Sequence, residues 1–211
     1  MGGNEVSNLK SQDATPKMIS RNKFEEIKEK YGYWSSWALW AEVGESPKSN
    51  VGDLSIFEGD EFLGQLSAEF VLVGLNIARA DIEKPLANFH SSLSKAQDYK
   101  IRYATKDTPL WGAYMTDVIK DFNEVDSGKL VSYLKKNKQF ELDNIQVFEQ
   151  EIRDLGVANP VLVALGDATY NILARNITHC EIIKIKHYSH YMSKEKYREE
   201  ISVLLKSLKK I

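Results

Sequence analysis

Three polar residues stand at the ends of short apolar runs, where a buried strand would deliver them to one edge of a sheet. Asn76 follows EFVLVGL, Asp117 lies near the end of GAYMTDVI, and His187 follows EIIKIK. A carboxamide both donates and accepts hydrogen bonds, so Asn76 can orient a water, and the same side chain can equally cap a turn. An imidazole at a strand end can donate to a leaving group that gains negative charge. That is the functional reading of His187 in the segment HYSHY, which holds two of the chain's four His. His190 read by itself is a surface or helix-capping residue. With no suitably placed carboxylate, the His pair is a poor zinc site, and no metal or cofactor is predicted. Phe89, on the loop after Asn76, suits either core packing or stacking on a flat base.

The composition narrows the field. The chain has 211 residues, 28 Lys and Arg against 30 Asp and Glu, and one Cys. That length predicts one domain able to bury a core without staples. A single Cys forms no internal disulfide and holds no Cys-ligated iron–sulfur cluster. No apolar h-region and no run of about 18 apolar residues is present, so a soluble, cytoplasmic protein without membrane contact is predicted. The net charge of −2 argues on bulk numbers against a basic nucleic-acid-binding domain. Its distribution argues otherwise: residues 181–211 carry eight Lys and Arg against four Glu, a net +4, leaving −6 elsewhere. Lys184, Lys186, Lys194, Lys196 and Arg198 surround HYSHY, as a phosphate-contacting rim would, although a solvated helix face has the same composition.

Elements must position these residues. Residues 1–20 are polar and read as a mobile arm, followed by a domain over 21–211. Phe24, Ile27 and Tyr31 mark one helical face. Trp34, Trp37 and Trp40 follow at a helix-like spacing of three, either as core or as a stacking surface, and residues 54–66 are ambiguous between strand and helix. Buried strands are predicted over EFVLVG (69–74), GAYMTDVI (112–119), VLVALG (161–166) and EIIKIK (181–186). Helical patterns run through Leu142, Ile145, Phe148, Ile152 and Leu155, through DATYNILARN with Asp167 at its start, and through Tyr197, Ile201, Leu204, Leu205 and Leu208. Strands alternating with helices predict an α/β protein with a mainly parallel sheet and helices on both faces. In such sheets ligands bind beyond the carboxyl ends of the strands, so the ends at Asn76, Asp117, Asp167 and His187 define one candidate site.

These residues resemble the uracil-DNA glycosylase superfamily over about residues 69–211. Gly74 and Asn76 in VLVGLNIARAD are similar to its Gly-x-Asn motif after the first strand. His187-Tyr188-Ser189 is similar to the His-Pro-Ser motif after the last. GAYMTDVIK and NPVLVALGDATYNIL resemble the middle strand and the strand–helix unit of the bacterial branches, outside the iron–sulfur ones. The resemblance implies a three-layer α/β/α sandwich around a short, mainly parallel four-stranded sheet. It also implies cofactor-free hydrolysis of an N-glycosidic bond after a damaged base, uracil by default, is flipped from single- or double-stranded DNA.

Under the resemblance Asn76 positions water, His187 stabilises the departing base anion, and Gly74, Leu75, Phe89 and Asp117 hold the base. Ser189 would bind a flanking phosphate, and Tyr191 or Met192 would wedge into the base stack. His190, Lys194, Lys196 and Arg198 complete the DNA-contacting set, in a chain acting as a monomer. Three positions depart from the pattern: Ile77-Ala78 for Pro-Gly, Tyr188 for Pro, and Asp117 for the base-reading Asn. Ionised Asp only accepts, so Asp117 suits an amino-bearing base edge better than uracil O4. Two other classes share these features: a non-catalytic nucleic-acid-binding protein of this fold, and an α/β enzyme acting on a free nucleobase or nucleoside. A regulatory protein whose Trp-rich segment binds a partner is a further class.

Overall fold

Ser20 starts the first helix by accepting the Lys23 N–H on its Oγ at 3.2 Å, and Phe24, Ile27 and Tyr31 form the buried face of α1, Arg21–Tyr31. The structure, a computed structural model, describes residues 19–78, 82–120 and 122–208. Most of the expected arm therefore lies outside the described residues. Its last two belong to the folded part: Ile19 is buried in the core, and Ser20 is the helix cap.

The chain has an α/β fold with a mixed, mostly parallel sheet of five strands and, among the described residues, six α-helices. The strands are β1 (Ser35–Trp37), β2 (Ser67–Asn76), β3 (Ala113–Ile119), β4 (Val161–Leu165) and β5 (Ile182–Ile185), in the order β1-β3-β2-β4-β5. Strands β3, β2, β4 and β5 run parallel, as their apolar runs predict.

The expectation of four strands is corrected by β1, which pairs antiparallel with β3 through Ser35↔Thr116 and Trp37↔Tyr114. The three-residue spacing of the Trp residues is not helical. Only residues 35–37 of this stretch are strand, and Trp37 and Trp40 pack into different cores. Both are buried, and Trp34 is half-buried against the first core, so this segment is core rather than stacking surface. Ser35 and Ser36 hold it by donating to the carbonyls of Tyr31 and Leu86, each at 2.9 Å. The ambiguous stretch 54–66 contains only two single-turn 3₁₀ segments, Ser55–Phe57 and Leu63–Gln65.

Side-chain alternation along the strands divides the core. Leu162 and Ala164 of β4, Val71 and Val73 of β2, and Tyr114 and Val118 of β3 join α1, α3 (Ser127–Lys136), α4 (Lys138–Asp154) and α5 (Asp167–Asn176). Val163 and Leu165, Leu72 and Met115 join α2 (Asp98–Thr105) and α6 (Lys194–Leu208). The helices α4, α5 and α6 follow their predicted patterns, except that Leu142, expected on the buried face of α4, is exposed. The sequence gives little sign of α2, because its buried face includes the polar Asp98, Lys100 and Arg102 beside Ile101 and Ala104. Among the described residues no helix is long and apolar enough to cross a membrane.

Candidate active site at the strand ends

Gly74 lies beside Asp117 in the β2–β3 ladder, and this glycine sets the local spacing. A Cβ at Gly74 would collide with Asp117 Oδ1 and come to 3.4 Å from Phe89 Cε1. Without it, the carboxyl and the edge of the aromatic ring close in on the strand. Phe89 is buried and holds a left-handed φ of 66°. Its neighbour Asn88 donates from Nδ2 to Asp117 Oδ2 at 2.9 Å and to the Trp34 carbonyl at 3.0 Å. Asp117 is 3% exposed. Desolvation, the largest influence, pushes its carboxyl up to about 6, against the opposing pull of the Asn88 hydrogen bond and the Lys120 charge.

Asn76 ends β2, and its Nδ2 donates to the carbonyls of Phe122 and Glu124, each at 2.8 Å. The amide nitrogen thus fastens the loop after β3, the turn-capping role its residue type permits. Leu75 is half-buried against the first core. Arg79 lies outside the described residues.

Gly166, at φ 95°, follows β4 at the N-cap position of α5, and its bare Cα faces the His187 side chain: a Cβ there would lie 3.6 Å from His187 Cβ. Asp167 is the first residue of α5 and pairs with Lys184 at 2.7 Å. The His187 ring stacks on Tyr188, centroids 4.3 Å apart. Its Nδ1 accepts the Ser189 backbone N–H at 3.2 Å and lies 2.8 Å from Ser189 Oγ. Desolvation lowers the imidazole to about 4, so the ring is neutral near pH 7. A neutral ring whose Nδ1 accepts carries its proton on Nε2, so this histidine is a donor at that atom.

Across the carboxyl edge the order is Asp117 on β3, Gly74 and Asn76 on β2, Gly166 after β4, and His187 after β5. Two strand spacings separate β2 from β5, about 10 Å of backbone. The sheet therefore gathers residues from four distant parts of the sequence along one edge.

The remaining candidates lie on the loop after β5 and the start of α6. Ser189 faces His187, and the His190 carbonyl accepts from Lys100 Nζ at 3.2 Å. Tyr191 is fully exposed, and Met192 is half-buried against the second core. Ser193 caps α6 through the Lys196 N–H, and the Lys196 side chain is exposed. Lys194 pairs with Glu195 and stands 4.0 Å above the Tyr103 ring, while Arg198 donates to the Tyr103 carbonyl at 2.7 Å.

Several contributors were not singled out from the sequence. Asn88 precedes Phe89 and holds Asp117, and no local pattern reveals that long-range bond. The buried Lys120–Glu151 pair, 2.6 Å apart, sits behind β3. His90 is buried near Trp40 and Phe57, with desolvation lowering it to about 4, a core histidine. Tyr99 and Tyr103 share one face of α2, which their spacing of four would have suggested had the helix been recognised. No protein-family model, curated protein or solved structure matches this chain. The class the fold and site define is an α/β protein with a polar carboxyl edge.

Proposed function

We propose that the chain is a DNA glycosylase-like hydrolase with the three-layer α/β/α plan of the uracil-DNA glycosylase superfamily, acting as a monomer on a deaminated or otherwise damaged base. The observation that carries this reading is His187, neutral and held as an Nε2–H donor on the edge shared with Gly74, Asn76 and Asp117. Water adds to C1′ of the deoxyribose as the C1′–N bond breaks, and the bonding electrons leave with the base. Nε2–H of His187 donates to the base oxygen on which that charge grows, an interaction stronger in the transition state than in the bound substrate. Asn76 Oδ1 orients the water, and a proton released from it neutralises the departing base. Asp117 and Phe89 take the base edge and face, and the loop 189–192 with Lys194, Lys196 and Arg198 meets the strand. None of these steps calls on a metal or cofactor.

Labelled oligonucleotides carrying uracil, hypoxanthine or xanthine, single- and double-stranded, test this by alkali cleavage at the abasic site. Wild type is expected to release at least one base, and His187→Ala to lose about 100-fold or more, as removal of one transition-state donor does. Release of none of the three bases from either kind of strand sinks the proposal.

A second reading, a nucleic-acid-binding protein of this fold without catalysis, draws on the engagement of Asn76 Nδ2 and Asp117 Oδ2 within the protein. It predicts salt-sensitive DNA association with no base release.

A further inference from the structure

Beside the strand-end site, α2 carries aromatic side chains that the proposed chemistry leaves unused, next to the cations at the start of α6. Lys100 Nζ ties α2 to the loop after β5 through the His190 carbonyl. Two residues past His187, at Ser189, a broad cleft begins that is also lined by Lys95, Tyr99, Lys100, Tyr191 and Met192. Tyr99 also lines a narrower cleft of about 370 Å³, with Tyr103, Trp40, Trp111, Lys194 and Arg198 around it. The two clefts adjoin at Tyr99, which lines both, as one candidate track beside the loop.

Two independent features say what the track fits. The first is alternation of ring and cation: Lys194 Nζ lies 4.0 Å and the Arg198 guanidinium 5.3 Å from the Tyr103 ring, and Lys48 Nζ lies 5.4 Å from that of Tyr99. The second is Arg102 in the wall of the narrow cleft. It is 2% exposed, donates to the carbonyls of Ala41, Pro47 and Ser49, and among the described residues has no carboxylate within 4.0 Å. A buried guanidinium hydrogen-bonded to neutral carbonyls, with the Glu42 carboxylate acting on it only from beyond ion-pair distance, adds positive charge behind an aromatic-lined cleft. The acids near these cations, Asp107 in the cleft lining and Glu42 and Glu195 beside it, are exposed and already lie near Arg198, Lys106 and Lys194.

Exposed rings need unpaired bases to stack on, and the cations need a phosphate backbone alongside. A duplex keeps its base faces inside the stack. We propose that this track binds the single-stranded DNA flanking the target nucleotide, so that the substrate of the strand-end site is a base in a single strand. The inference deepens the glycosylase reading and rests on it for the identity of the strand.

Fluorescence anisotropy of a labelled oligothymidylate, titrated with the full chain at several salt concentrations, tests it. Tyr191→Ala and Tyr103→Ala should each weaken binding about tenfold through lost stacking. Arg198→Ala should make the log–log salt slope shallower by about 0.7, one phosphate contact on a single strand. Tyr191 is fully exposed, so its replacement leaves the fold intact, and matching melting curves confirm this for the other two. Unchanged affinity in Tyr191→Ala together with an unchanged slope in Arg198→Ala overturns the inference. Tighter binding of a duplex, or of an oligouridylate, overturns it as well. Strand binding that responds to these substitutions without base release leaves the track standing and removes the glycosylase reading. Base release from duplex that ignores all three substitutions does the reverse.

Discussion

The Asp117 carboxyl, pushed up to about 6, changes form close to neutral pH, and its two forms suit different bases. Protonated, it offers an O–H donor and a carbonyl acceptor, the pair an amide presents to uracil O4 and N3–H. Ionised, it only accepts, which leaves O4 facing a carboxylate. Under the proposed function, uracil release should fall as pH rises through about 6, while Asp117→Asn flattens that decline and raises release at neutral pH about tenfold or more. Asn88, Lys120 and Glu151 face or act on this carboxyl, and His187 stays neutral above about 4. The same residue bears on stability. Its pKa is higher folded than unfolded, so between about 4 and 6 the native state binds more protons and this group costs stability as pH rises. Asp117→Asn removes that cost: urea unfolding should show no gain near pH 4 and a gain on the order of 2–3 kcal/mol at neutral pH. A gain independent of pH would contradict the assignment.

Element packing rests on a polar connection as well as on apolar faces. Glu151 of α4, fully buried, accepts the Tyr114 hydroxyl at 2.7 Å and meets Lys120 Nζ at 2.6 Å, and that ammonium donates to Thr116 Oγ1 at 2.5 Å. Asn144 of the same helix accepts the Lys120 N–H at 2.7 Å, so α4 is fastened to the end of β3 twice. Glu151→Ala strands a buried ammonium and should cost about 3–5 kcal/mol in urea unfolding. Replacing both partners, Lys120→Met with Glu151→Leu, should cost less, because no uncompensated charge remains. A double replacement as costly as the single one would show that packing, not charge, holds this junction. The elements themselves were unevenly legible. A period of 3.6 marked α4 and α6, and DATYNILARN gave α5 directly, because each buries one apolar stripe. The edge strand β1 is three residues long and begins with two serines, too short for alternation to register. The buried face of α2 is half polar, so no stripe announces it.

At the scale of the whole molecule one sheet separates two cores, the four parallel strands contributing to both, so neither core can unfold while the other keeps its packing. Far-ultraviolet circular dichroism and tryptophan fluorescence should therefore give coincident denaturant transitions, with Trp34 and Trp37 reporting on one core and Trp40 on the other. Separate midpoints would refute a single cooperative unit. The charge is similarly divided, −2 in total but +4 over residues 181–211, which contain the loop after β5 and α6. That division is fixed by composition and was readable without coordinates. So were the four parallel strands and the polar residues at their ends, because a run of buried apolar residues and its terminus are local features. What local pattern could not supply was adjacency. The closeness of Gly74 to Asp117, the Asn88 amide on Asp117 Oδ2, the lock of Ser189 on His187 and the joining of two clefts at Tyr99 all depend on strand order and on helices meeting across long sequence separations. The sequence determined which chemical groups reach the sheet's carboxyl edge; tertiary packing alone decided which of them are desolvated, which are already hydrogen-bonded, and which face one another.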